Sequence, residues 1–149
     1  MAMYKHTQIG YLIIIVLCVT LIFFASFYRV FIIETNTPAF AIFTMVLVMF
    51  MLASFTTLTV NVDEQYVLVK FGYGIFRKRF TVNEIASVKQ VKNHWYYGWG
   101  IRLWFWPYMW IYNVSGFDAV EIIMKNGKVY RIGTDAPNEL EAAIKLVLK

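Results

Sequence analysis

The chain holds one cysteine, three prolines and two histidines in 149 residues. The single thiol, Cys18, excludes an internal disulfide and any metal site built from several cysteines, and its place in an apolar run makes it a packing residue. His6 and His94 are isolated, and there is no His-Glu-x-x-His, Cys-x-x-Cys or Gly-x-Ser-x-Gly. Zinc-hydrolase, thiol-redox and serine-hydrolase chemistry therefore have no footing. Gly72-Tyr73-Gly74 begins like a dinucleotide fingerprint but lacks the third glycine and the following helix, so it reads as a strand turn. Asp118, Glu121 and Asp135 form a sparse acidic set: Asp135 is placed to cap a helix and Glu121 to sit on a solvent-facing strand position. The chain is read as a non-enzyme, with no catalytic residue, no cofactor, no metal and no nucleic-acid partner expected.

Charge is missing from one end. Residues 1–62 carry only Lys5, Arg29 and Glu34, while the remainder holds 12 basic and 8 acidic side chains. With 60% hydrophobic and 19% aromatic residues overall, the chain is too apolar for an ordinary water-exposed domain of its length.

Ile9 to Tyr28 is uncharged, and twenty residues at 1.5 Å rise span about 30 Å, the thickness of a bilayer core. The expectation is one transmembrane helix over about residues 9–33. Thr35 to Val62 is also uncharged, with Asn36-Thr37-Pro38 supplying capping side chains and a first-turn proline, which predicts a second helix over about 39–58. The link near Ile33 to Pro38 suits only a tight hairpin. A cleaved signal peptide fits less well, because the apolar core is long and no small-x-small site follows it. Arg29 sits near a helix end, where its side chain can snorkel to the headgroups. Lys5 precedes the first helix, Arg29 and Glu34 cancel in the link, and Lys70, Arg77, Lys78 and Arg79 follow the second, so both termini are expected on the cytoplasmic side.

After Thr57 short runs rich in Val, Ile, Phe and Tyr alternate with Gly, Asn and Asp, the pattern of strands. Seven are predicted: Leu58–Val62, Gln65–Phe71, Ile75–Val82, Ile85–Val91, a run within Ile101–Val114, Ala119–Lys125 and Lys128–Ile132. Asn126-Gly127 marks a two-residue hairpin turn. From Pro137 to Leu148, Leu140, Ala143, Ile144 and Val147 share one helical face, with Glu139 and Glu141 early and Lys145 and Lys149 late, as the helix dipole favours. Thr134 or Asp135 is the expected cap. The domains are then a helical hairpin over 1–60 and a β-rich domain over 61–149, closed by the last helix.

Three segments carry a family resemblance: Tyr97-Gly98-Trp99-Gly100-Ile101-Arg102, then Tyr112-Asn113-Val114-Ser115-Gly116-Phe117-Asp118-Ala119-Val120-Glu121, then Ile132-Gly133-Thr134-Asp135-Ala136-Pro137. In order and spacing they resemble the signatures of bacterial membrane proteins with a pleckstrin-homology-like domain, over about residues 60–149. The resemblance implies an α+β membrane protein: a two-helix transmembrane hairpin followed by a seven-stranded bent barrel capped by a C-terminal helix, multi-pass in the bacterial inner membrane. It brings no catalytic site. Asn113-Val114-Ser115 matches the glycosylation sequon, which such a cytoplasmic bacterial domain would leave unused.

Two surfaces are candidates. Lys70 with Arg77, Lys78 and Arg79 is similar to the basic hairpin that binds phosphoinositide headgroups in eukaryotic pleckstrin-homology domains. With a shorter loop, nonspecific attraction to anionic lipid is the expectation, against plain solvated strand charge. The stretch from Trp95 to Tyr112 holds ten aromatic residues. Trp104, Phe105, Trp106 and Trp110 are expected at a membrane interface or against the helices, with a partly buried core patch or a protein contact as the competing reading. The function expected is a membrane-anchored, non-catalytic binding or scaffold protein. Its partners are the lipid bilayer and another membrane protein or a second copy of the chain. The alternative is a small accessory subunit of a transporter or channel, for which the first sixty residues offer only Thr20, Ser26, Thr44, Ser54 and Cys18 as a polar stripe.

Overall fold

The computed structural model describes residues 3–28, 30 and 38–148. In chain order the elements are β1 (Tyr4–Ile9), α1 (Tyr11–Ser26), α2 (Pro38–Ser54), β2 (Thr57–Val62), β3 (Tyr66–Phe71), β4 (Arg77–Thr81), β5 (Ile85–Lys92), β6 (Gly100–Phe105), β7 (Tyr108–Asn113), β8 (Asp118–Met124), β9 (Val129–Gly133) and α3 (Pro137–Val147). β1-β2-β3-β4 form one antiparallel sheet. β5-β8-β9-β7-β6 form a second, in which β7 and β9 run parallel.

Alternation builds the core. Leu58, Val60 and Val62 of β2, Val67, Val69 and Phe71 of β3, and Phe80 of β4 point from the first sheet toward Tyr112, Val120, Ile122, Tyr130 and Ile132 of the second. Leu140 and Ile144 of α3 complete this cluster, and α3 lies on β5 and β8. Gln90 Nε2 fixes it there, donating to Asn138 Oδ1 at 2.8 Å and Glu141 Oε2 at 2.6 Å.

The transmembrane expectation is overturned: among the described residues no helix is long and apolar enough to cross a membrane. The reason is visible at the helix ends. Ile9, expected inside the first helix, pairs with Thr57 in the β1–β2 ladder; the second helix, expected to about residue 58, ends at Ser54, and the strand expected over Leu58–Val62 runs Thr57–Val62. Among the described residues α1 holds 16 residues and α2 holds 17, about 24 and 26 Å at helical rise, short of an about 30 Å hydrocarbon core. The transmembrane hairpin, the multi-pass inner-membrane placement and the cytoplasmic placement of both termini built on it fall together. Arg29, Glu34 and the expected link as far as residue 37 lie outside the described residues, as does Lys149, while Pro38 opens α2.

The seven-stranded bent barrel is corrected to nine described strands in two sheets. The aromatic run is two strands, because Pro107 sits in a tight turn between Phe105 and Tyr108. β1 carries no alternating apolar signal: its inward positions include His6 and Gln8. It is held by polar contacts, with Gln8 Nε2 donating to the Ser115 carbonyl at 3.0 Å and the Thr7 and Thr59 hydroxyls 2.9 Å apart. Neither Asp135 nor Thr134 caps α3 with a side chain onto the helix. Asp135 turns to His6, and Thr134 Oγ1 accepts from Ala136 N. Glu121, expected in solvent, is 6% exposed.

Two glycines are required by close approach. A Cβ on Gly72, whose φ is +40°, would lie 2.6 Å from the Ser54 carbonyl oxygen, so the β3–β4 turn can lie against the end of α2 only without a side chain. A Cβ on Gly133 would fall 2.0 Å from Asn113 Oδ1. Two of the sequence signatures thus meet: Asn113 lies over the backbone of Gly133 and donates its amide to the Gly116 carbonyl at 3.1 Å.

Candidate functional site

The helices leave one end of the β1–β2 pair together. Gly10 N donates to the Thr56 carbonyl at 2.7 Å, and α1 and α2 pack on each other from there. Both are apolar on every side and expose large side chains, among them Ile15 at 62%, Ile22 at 65%, Phe40 at 71% and Phe43 at 63%. Helices hydrophobic all round are stable only inside an apolar environment, lipid or protein. The hydroxyls that could have formed a polar stripe are spent locally: Thr20, Thr44 and Ser54 donate to Val16, Phe40 and Phe50 of their own helices.

The register of the first sheet arranges the basic residues. Lys70 lies opposite Arg77, and Leu68 opposite Arg79, so Lys70, Arg77 and Arg79 share the face away from the core. The same row continues through Asn61 to Lys5, a cation that sequence reasoning assigned to a helix flank because β1 was not legible. Lys78 alternates to the other face, with its ammonium 5.7 Å from the Tyr130 ring. Arg79 is seated over the Tyr66 ring at 4.4 Å. Lys5, Lys70, Arg77 and Arg79 make no salt bridge among the described residues. The Lys70–Arg77 row is two residues, about 7 Å, from the Ile9–Thr57 pair where the helices begin. Tyr73, in the turn beyond it, stacks on Phe50 of α2 with centroids 6.0 Å apart.

The aromatic candidates separate. Trp110 is half-buried against the main core. Trp104 caps a second apolar cluster of Tyr97, Met109 and Ile111 on the outer face of the second sheet, with its ring 4.8 Å from Tyr97 and its Nε1 donating to the Trp106 carbonyl at 2.8 Å. Phe105 and Trp106 project at 75% and 91% exposure. This tip lies about 17 Å along β6 from Gly100, which lines the helix junction. A small two-sheet body accommodates so many rings because Trp95–Tyr97 folds over the outer face and builds this second cluster.

Beside it Lys89, Glu121 and Arg131 form a cross-strand ladder, with contacts of 3.1 Å and 2.8 Å. Burial pushes the Glu121 carboxyl up, but the hydrogen bonds and charges of Arg131 and Lys89 outweigh it, and the net shift is downward. Glu121 is therefore a fixed anion in a structural ladder. Tyr112 is pushed up to about 12, by burial first and Tyr130 second, so its phenol stays neutral. Among the described residues, no three His, Cys, Asp or Glu side chains are grouped to hold a metal.

No protein-family model matches the chain, and neither a curated protein nor a solved structure matches it.

Proposed function

We propose that the chain is a non-catalytic binding module that contacts anionic lipid through the outward face of its first sheet, with the apolar surface of α1 and α2 covered by acyl chains. The observation that carries this reading is the set Lys5, Lys70, Arg77 and Arg79. These four cations share one sheet face without a carboxylate partner among the described residues, and the nearer row is about 7 Å from the Ile9–Thr57 strand ends that connect to the apolar helices. Such side chains contribute about 1 kcal/mol each near an anionic surface. The likeness of the signature segments to bacterial pleckstrin-homology-like proteins supports a binding role.

The test is partition of the full chain between neutral detergent micelles and vesicles with or without anionic lipid. Replacing Lys70, Arg77 and Arg79 by Gln removes about 3 kcal/mol, which is roughly a 100-fold loss of the anionic preference, largest at low salt. An unchanged preference in the triple variant would remove the basic face from the function.

A further inference from the structure

A crevice of about 370 Å³ opens where the helices meet the second sheet, lined by Ile13 of α1, Leu52 of α2, Phe55, and Trp99 to Arg102 at the start of β6. The charged side chain in its lining is Arg102. Arg102 is exposed and has no carboxylate within ion-pair reach among the described residues; its one polar contact is a 3.3 Å donation from Nε to the Trp99 carbonyl. Trp99 lines the crevice, while its indole Nε1–H is buried below the surface and unpartnered among the described residues. The Ile13 and Leu52 side continues into the exposed apolar surface of α1 and α2.

An apolar slot with a cation at its rim, open to the helix surface that the reading above covers with acyl chains, fits an amphiphile with an anionic head. We infer that the crevice holds one acyl chain of an anionic phospholipid along Ile13, Leu52, Phe55 and Trp99, with the phosphate on the Arg102 guanidinium. The volume lies in the range of formed ligand pockets. A guanidinium suits a phosphate, which it meets with paired N–H donors. This rests on the lipid-contact reading above and adds a defined lipid site, distinct from the diffuse attraction of the basic face.

The test is titration of the full chain, in mild-detergent micelles, with phosphatidylglycerol brominated on its acyl chain, followed by tryptophan quenching. α1 and α2 contain no tryptophan, so the signal comes from the β-rich body. Saturable quenching by a single lipid per chain is expected. Trp99→Phe should remove the quenched component. Arg102→Gln, at an exposed position, should weaken binding about ten-fold, and brominated phosphatidylcholine should bind weaker than phosphatidylglycerol by a similar factor. Leu52→Phe, which fills the slot, should abolish saturation while vesicle partition is unchanged. Linear quenching, equal quenching by both lipids, or quenching that survives Trp99→Phe would overturn the inference. If saturable quenching is absent while partition still favours anionic vesicles, the crevice site falls and the basic-face reading stands; loss of both removes the two together.

Discussion

Gly133→Ala tests the packing of the signature segments against each other. The new methyl would sit 2.0 Å from Asn113 Oδ1, 2.6 Å from Cγ and 3.0 Å from Cβ, and Asn113 is itself 2% exposed, so it cannot retreat into solvent. Overpacking of this kind costs 1–3 kcal/mol, and swinging Asn113 aside breaks its 3.1 Å bond to the Gly116 carbonyl for about 1 kcal/mol more, giving roughly 3 kcal/mol. Asn113→Ala alone should cost about 1 kcal/mol. It removes that bond together with an Oδ1 that has no partner among the described residues. In the Asn113→Ala background Gly133→Ala meets only the Cβ at 3.0 Å and should cost about 1 kcal/mol, a coupling of roughly 2 kcal/mol. Urea unfolding of the four proteins, followed by near-ultraviolet circular dichroism, gives the cycle. Equal cost of Gly133→Ala in both backgrounds, or a cost under about 0.5 kcal/mol in the parent, would refute the contact.

Glu121→Gln should destabilise by about 3 kcal/mol at pH 7, because Arg131 loses its partner at a site where Glu121 is 6% exposed. Its folded-state pKa is lowered, so the ionised carboxylate's contribution is fully present above its unfolded pKa, about 4.3, and disappears as pH falls through the lower folded value. The gap between parent and variant in unfolding free energy should therefore narrow below about pH 4 and stay level above about pH 5. Trp106→Ser at a 91% exposed position should change stability by less than about 0.5 kcal/mol, whereas Trp104→Ser uncovers the Tyr97–Met109–Ile111 cluster and should cost about 2 kcal/mol in the same urea assay. Ile132→Ala in the main core should cost 2–5 kcal/mol, and a smaller loss would place that side chain outside the core.

Much of the local structure was legible because it depends on near neighbours. The helix expected over 137–148 runs Pro137–Val147, and β3, β5, β8 and β9 differ by a residue or so at their ends from the runs of Val, Ile, Phe and Tyr that marked them. The same apolar composition misled over the first sixty residues. Ile9 and Thr57, expected in the helices, have their backbone groups taken by the β1–β2 ladder, whereas the strand expected over Leu58–Val62 is found as β2. β1 itself was invisible, since a strand whose inward residues include His6 and Gln8 has no period-two apolar pattern.

The sequence by itself determined that the first sixty residues are uncharged but for Lys5, Arg29 and Glu34, that the remainder alternates, and that no His-Glu-x-x-His, Cys-x-x-Cys or Gly-x-Ser-x-Gly occurs, because composition and spacing are properties of the chain alone. Only the tertiary structure decided which cations share a face, since Lys5 joins Lys70, Arg77 and Arg79 through strand register across about 75 residues of chain. It also decided that Trp104 and Trp110 are packing residues while Phe105 and Trp106 are free, and that Arg102 stands at the mouth of an apolar crevice. Such pairings are set by which strand ends and helix ends meet, and no local pattern of residue types encodes that.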